Sequence, residues 1–322
     1  MSGKISLKTK IKFSKEINNL LILGDGRICI SYDSNIAILN KITFKLEITA
    51  LNVHKKEINS LSQLEDGKLI SCANEPILNI YNIEEKSLPI YQKIKIFSNI
   101  PKELTKTKKY LFKAAELINK DLAICGTCPV LSFYKYNSLK DLFDFNYYIH
   151  NKTDENIKNF IQINENQIIL VIYKYYRIFP NTGIKLCDLE KKEIKENSIN
   201  GFKGKFVGES ICKISENYLA IGVSNLISII DLKILQRIKK YYIGEFRNDH
   251  CWNLCVFNNY LFCGSDSGRI YKYIINEDKI EFKEQIEQDI STPIKSLIKI
   301  NNKTMVFTQK ENIFIYIFNE NN

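Results

Sequence analysis

Residues 54–82 read HKKEINSLSQLEDGKLISCANEPILNIYN. Three strand-like pieces are visible. Residues 58–64 alternate loosely and run into a turn, Glu65-Asp66-Gly67. Residues 68–73 are a short apolar run that ends in small side chains. Residues 77–81 set Ile77, Asn79 and Tyr81 against Leu78 and Ile80, and close on Asn82. Short strands joined by tight turns, with no helical period, predict an antiparallel meander. A lone meander cannot bury both faces, so it needs neighbours of its own kind.

The unit recurs. Segments resembling the third piece are centred on positions 39, 81, 134, 187, 230, 273 and 316, at spacings of 42, 53, 53, 43, 43 and 43 residues. The second piece recurs in step at 26–31, 68–73, 121–126, 167–172, 218–223, 260–265 and 303–308. Most copies begin with a large apolar residue and leave through Ser, Ala, Gly or Cys, which suits close sheet-on-sheet packing. A period in the low forties with four strands per unit predicts a β-propeller.

At this point the repeats resemble WD40 repeats. His54-x-x-x-Ile58-x-x-Leu61 matches the histidine that opens such a repeat, and His250-x-x-x-Leu254-x-x-Phe257 repeats the spacing. The dipeptide that is Trp-Asp in that family reads Leu39-Asn40, Tyr81-Asn82, Cys187-Asp188 and Ile230-Asp231 here; Tyr134-Lys135, Tyr273-Ile274 and Tyr316-Ile317 diverge further. The resemblance implies structural roles for His54, Tyr81, His250 and Tyr273, with the histidines in buried hydrogen-bond networks. Too few residues follow Tyr316 for a fourth strand, while residues 5–13 alternate with period two. The expected fold is therefore all-β: a single seven-bladed propeller over 1–322, its ring closed by the N-terminal strand 4–13 joining the C-terminal blade. Approximate blades are 14–52, 53–97, 110–150, 156–200, 206–243, 249–288, and 292–319 with 4–13.

Composition narrows the function classes. The chain of 322 residues carries a net charge of +10. Ile, Lys and Asn make up about two fifths of it, and only five of 46 basic residues are Arg. That reads as codon bias more than nucleic-acid recognition, which favours Arg for bidentate contacts. No apolar run is long enough to span a bilayer, and residues 1–10 contain no secretory h-region. Nine cysteines, an odd number, mostly inside apolar strands, argue against a disulfide framework and for a reducing, cytoplasmic setting, with the nucleus also open.

Function is sought where the period breaks, because loops carry binding. Residues 98–109 form a Lys-rich insertion with Lys102, Lys106, Lys108 and Lys109. Residues 147–156 are expected to be an enlarged blade connection, and 174–182 an enlarged hairpin with Tyr175, Tyr176 and Arg177, residue types that interface centres favour. Drift is the competing reading of all three. Cys125-Gly-Thr-Cys128 lacks the second pair that zinc needs and reads as packing. Glycine-rich 201–208 lacks the following helix of a phosphate loop. No nucleophile motif appears, and no catalytic residue, metal or cofactor is expected. The expectation is a non-catalytic interaction scaffold, a monomeric propeller in a multiprotein complex. The alternative is a module for an anionic partner, RNA or acidic phospholipid, bound through 98–109.

Overall fold

The computed structural model describes residues 4–105, 110–152, 155–174, 181–195, 210–223, 225–243, 249–277, 279–287 and 292–319. Blade 1 has strands β2 (Ile17–Ile22), β3 (Ile28–Tyr32), β4 (Asn35–Leu39) and β5 (Leu46–Ala50). Blade 2 has β6 (Ile58–Gln63), β7 (Leu69–Ala73), β8 (Ile77–Tyr81) and β9 (Ile90–Lys95), and blade 3 has β10 (Leu111–Glu116), β11 (Leu122–Gly126), β12 (Val130–Asn137) and β13 (Leu142–His150). Blade 4 has β14 (Asn156–Asn164), β15 (Gln167–Lys174), β16 (Asn181–Asp188) and β17 (Glu193–Ile194). Blade 5 has β18 (Ser210–Lys213), β19 (Tyr218–Val223), β20 (Leu226–Asp231) and β21 (Gln236–Tyr242). Blade 6 has β22 (Cys251–Phe257), β23 (Tyr260–Ser265), β24 (Arg269–Asn276) and β25 (Lys279–Glu287). Blade 7 has β26 (Ile294–Asn301), β27 (Thr304–Gln309), β28 (Asn312–Asn319) and, as its outer strand, β1 (Lys4–Lys12). These seven four-stranded antiparallel sheets are those of an all-β, seven-bladed propeller. The seven third strands lie over the positions expected from the repeat.

Two compact units are present, Leu23–Lys205 and the combination of Met1–Ile22 with Phe206–Asn322. In the first, β3, β7 and β11 are buried at every position. Their sequences are apolar runs, as strands covered on both faces require. One core cluster joins Ile70, Leu78 and Ile80 of blade 2 to Leu111, Ile124 and Tyr134 of blade 3. The next joins Ala123, Leu131 and Phe133 of blade 3 to Ile157, Phe160 and Leu170 of blade 4. In the second unit, Ala220, Ile227 and Ile229 of blade 5 meet Leu254, Leu261 and Cys263 of blade 6. Phe257 and Phe262 of blade 6 pack with Leu297, Met305 and Phe307 of blade 7. The small residues at the ends of second strands are explained at Gly222 and Gly264. An added Cβ there would come within 2.3 Å of the Cys251 sulfur and 2.7 Å of an Ile294 methyl carbon, respectively.

The register repeats as well as the spacing. First and second strands slip by one residue at Ile58/Ser60, Leu111/Lys113, Ile157/Asn159, Cys251/Asn253 and Ile294/Ser296. Third and fourth strands slip immediately before Leu39, Tyr81, Tyr134, Ile230 and Tyr273. Five of the seven side chains used to count the repeat therefore sit beside a β-bulge, where the ladder is bent and re-aimed.

Two segments differ from the sequence reading. Residues 147–150 are not loop, because β13 continues to His150 and Tyr147 stacks on Phe133 with ring centroids 4.5 Å apart. The insertion at 98–109 is partly internal: short 3-10 turns at Ile96–Asn99 and Lys102–Thr105 bury Ile96, Phe97 and Thr105, and Ile100 between them is buried too. Ile96, Phe97 and Ile100 belong to the core cluster between blades 2 and 3, so Lys102 follows an anchored segment.

β1 pairs with β28 from Lys4↔Asn319 to Lys12↔Asn312. Deleting residues 1–12 exposes the edge of β28, which can then pair with another chain. At about 0.5–1.5 kcal/mol net for each lost ladder hydrogen bond, the variant is expected to lose several kcal/mol and to self-associate. Thermal unfolding and sedimentation velocity test this; unchanged values in both would refute it.

Candidate protein-interaction surface

Within the unit Leu23–Lys205, the turns between first and second strands share one end of the blades with those between third and fourth strands. Three five-residue turns follow one plan. In 23–27, Leu23 N–H donates to Arg27 O (2.9 Å) and Gly26 N–H to Leu23 O (2.7 Å). In 64–68, Leu64 N–H donates to Lys68 O (2.9 Å) and Gly67 N–H to Leu64 O (2.9 Å). In 117–121, Leu117 N–H donates to Asp121 O (2.8 Å) and Lys120 N–H to Leu117 O (2.9 Å). The fourth position needs positive φ, +86° at Gly26 and +91° at Gly67; Lys120 adopts +68° without being glycine. Asp25, Asp66 and Asn119 each accept the backbone N–H two residues on, which is why short polar side chains occupy that place.

A side chain from each following blade fastens the turn before it. Gln63 Oε1 accepts Gly24 N–H at 2.7 Å, Glu116 Oε2 accepts Glu65 N–H at 2.6 Å, and Gln162 Oε1 accepts Ile118 N–H at 2.8 Å. Gln63 also donates to Gly67 O (2.8 Å) and Gln162 to Glu165 O (3.3 Å), each within its own blade. Glu116 has no hydrogen to donate.

Two depressions flank the 64–68 turn. One, of about 450 Å³ between blades 2 and 3, is lined by Leu64, Glu65, Asp66, Glu116, Lys120, Tyr136 and Phe143. The other, of about 430 Å³ between blades 1 and 2, includes Asp25, Arg27, Gln63, Lys68 and Asn82. Most charges there are paired: Arg27 Nε with Asp25 Oδ2 at 2.7 Å, Lys68 with Asp66 at 2.5 Å, and Lys120 with Glu65. Glu116 is the exception. Burial, and then the charge of Asp66, push its carboxyl above the usual glutamate range. Large apolar side chains are exposed at this end, Ile42, Leu46, Ile90, Ile118, Tyr136 and, 97% exposed, Leu139.

The residues assigned structural roles are brought together in blade 2. His54 Nδ1–H donates to Glu75 Oε1 (2.5 Å), His54 Nε2 accepts from Ser71 Oγ (2.6 Å), and Ser71 Oγ accepts from Tyr81 OH (3.1 Å). Every donor in this buried line has an acceptor, which sets the tautomer of His54. His54 opens the repeat and Tyr81 closes its third strand, so the network ties the blade entrance to its middle.

Comparison with known proteins agrees with this geometry. No protein-family model and no curated protein sequence matches the chain. Solved structures do match. One described as U3-55K superimposes with a TM-score of 0.74 at 10% identity, covering 98% of each chain. Another, of RRP9 WD40 repeats, gives a TM-score of 0.74 at 10% identity, covering 98% of this chain and 97% of the other. The chain has the WD40-repeat β-propeller fold.

The WD40 plan is altered in blade 6. Ladder pairing puts Cys263 opposite Tyr271, the place Ser71 takes opposite Asn79, so no hydroxyl bridges His250 to Tyr273. His250 Nδ1 pairs instead with Asp266 Oδ2 at 2.5 Å. The Tyr273 hydroxyl is buried with no hydrogen-bond partner among the described residues, and its ring packs edge-on against Phe282. Asp249, one residue before His250, forms the buried network: it accepts from Tyr271 OH (2.7 Å) and Ser267 Oγ (2.5 Å). Burial opposes its charge, but hydrogen bonds from Asp266, Ser267 and Tyr271 outweigh that and hold its carboxyl at about 2. Asp266, pushed up by burial and then by Asp249, is the member of the pair that takes a proton first.

Of the residues named for partner binding, Lys102 is exposed at the start of a 3-10 turn. Lys106, Lys108, Lys109, Tyr175, Tyr176 and Arg177 lie outside the described residues. The described ladder before and after the last three runs to Lys174↔Asn181. Cys125 and Cys128 are both buried, and burial pushes the Cys125 thiol up to about 12. Reading blade by blade missed the turn-end surface; its signal is the near-identity of 23–27 and 64–68.

Burial lowers the His54 pKa from its ordinary 6.5, and Glu75 recovers only part of that. The unfolded chain therefore binds the proton first. The contribution is complete above pH 6.5 and is lost as pH falls through the lower folded value. His54→Ala, which leaves the buried Glu75 carboxylate without its imidazole donor, is expected to cost about 1–3 kcal/mol at pH 7. The wild-type minus variant difference should shrink between pH 7 and 5 in urea titrations. A difference that is constant or grows would contradict the network.

Proposed function

We propose that the protein is a non-catalytic platform that binds other proteins, as one subunit of a larger assembly in a reducing compartment such as the cytoplasm. The supporting observation is the exposure of Ile42, Leu46, Ile90, Ile118, Tyr136 and Leu139 on turns and adjoining strand ends at the same end of blades 1 to 3. Scattered singly, exposed apolar side chains carry no message; grouped beside polar rims they mark contact surfaces. The first-to-second-strand turns at that end, including the one that carries Ile118, are fixed by the Gln63, Glu116 and Gln162 bonds, so a partner meets part of the surface already in shape and less ordering entropy opposes binding. The nine free cysteines support the compartment. Among the described residues no helix is long and apolar enough to cross a membrane.

Ile42→Asp and Leu139→Asp alter exposed side chains and should leave thermal stability within about 0.5 kcal/mol of wild type. Native affinity isolation with mass spectrometry is expected to recover a defined partner set with wild type and to lose members with these variants. An identical set with both variants overturns the surface. Retention on RNA or acidic vesicles at low salt, abolished by Lys102→Glu, would replace this reading with an anionic partner.

A further inference from the structure

The latch position is glutamine in blades 2 and 4 and glutamate in blade 3. The two glutamines use both ends of the amide: the oxygen accepts from the preceding turn, and the nitrogen donates to a carbonyl of their own blade. Glu116 keeps the first bond through Oε2. Its Oε1 has no donor among the described residues, and it lines the groove with Asp66, Tyr136 and Phe143. The substitution replaces a satisfied amide with a partly exposed carboxylate whose second oxygen has no donor among the described residues and is not sealed from water. Two ammonium groups are close by, and both are committed elsewhere: Lys120 pairs with Glu65, and Lys68 pairs with Asp66 and lies 4.5 Å over the Tyr91 ring.

We propose that this groove between blades 2 and 3 is the docking site for an arginine side chain of a partner protein, with Glu116 as its anchor. The proposal rests on the platform reading and names the partner chemistry. An acidic or phosphorylated segment would place like charge beside Glu116 and Asp66. A purely apolar segment would bury the Glu116 carboxylate still further without a donor, which is costly. A guanidinium fits on both counts. Its fork can donate to Oε1 of Glu116 while its plane lies on the ring of Tyr136 or Phe143, and its stem covers Leu64. Lysine offers a point charge with no face to stack. The chain as a whole carries +10, so a basic segment is repelled from most of the molecule and drawn to the groove, which makes its charge a source of register as well as affinity.

Glu116→Gln tests the proposal without threatening the fold, because it restores the amide of blades 2 and 4. Its melting temperature is expected to equal or exceed that of wild type. The probe is the peptide acetyl-Gly-Leu-Arg-Phe-Gly-amide, with citrulline and lysine versions, titrated into the full chain and followed by side-chain carboxyl carbon NMR. With wild type, the arginine peptide should shift the Glu116 signal, lower its titration midpoint, and bind about tenfold or more tighter than the citrulline peptide, a difference of one decade in Kd. With Glu116→Gln that preference should vanish. Equal binding of the arginine and citrulline peptides to wild type, no binding of the arginine peptide at millimolar concentration, or an unchanged preference in Glu116→Gln each overturns it. If Leu139→Asp loses native partners while Glu116→Gln keeps them all, the platform stands and the arginine anchor falls.

Discussion

Each blade depends on burial of both faces of its middle strands. β3, β7 and β11 have no exposed residue, and β11 presents Leu122 and Ile124 to blade 2 while Ala123 and Cys125 face blade 4. In blade 3, Phe133 packs towards blade 4 and the next residue, Tyr134, towards blade 2. A fully buried large apolar side chain contributes roughly 1.5–3 kcal/mol, and a four-stranded sheet taken alone would forfeit that on both faces. Other regularities follow from this one. Small residues leave the second strands because the neighbouring blade approaches closely there, and the polar residues within the strands, such as Ser71 and Asn79, are held in hydrogen bonds.

Sheet stacking leaves the first strands with backbone groups that no partner strand satisfies. These groups are paired by side chains from the preceding blade. Asn59 Nδ2 donates to Leu111 O, Ser62 Oγ to Ala114 O and Lys113 Nζ to Phe160 O, all at 2.8 Å. In the other unit, Ser210 Oγ accepts Leu254 N–H at 2.6 Å and Ser296 Oγ accepts Leu20 N–H at 3.2 Å. The Gln63, Glu116 and Gln162 latches extend the same device to the turns. Apolar packing fixes which faces meet; these bonds fix the register in which they meet.

That division explains what was legible in the sequence. Strand identity and order were, because apolar runs spaced by 43 residues need only local periodicity to be seen. The closing strand β1 was legible for the same reason. The character of 98–105 was not. Ile96, Phe97 and Ile100 look like loop residues until the core between two blades that receives them is known. His250 was misleading because a repeat position names a side chain and not its partners. With Cys263 where Ser71 stands, the hydroxyl relay to Tyr273 is gone and Asp249 supplies another buried network. The turn-end surface was hidden because its meaning lies across blades, in the comparison of Gln63, Glu116 and Gln162.

A repeat can absorb a substitution by exchanging one polar network for another, as blade 6 does with Asp249, Ser267 and Tyr271. Residues that match the repeat thus report on folding, and those that depart from it with internal compensation report on drift. A departure left uncompensated is different, because an unpaired polar group costs free energy in the isolated chain. One such case is buried, and a second departure stays open to solvent. The Tyr273 hydroxyl is sealed inside blade 6, where no partner can reach it, and its cost is borne by the fold. The second oxygen of Glu116 opens into a groove with aromatic walls, where a donor from another molecule can meet it. A guanidinium there would exchange water for a charge-assisted bond, and that opening sets Glu116 apart from the better-paired carboxylates around it.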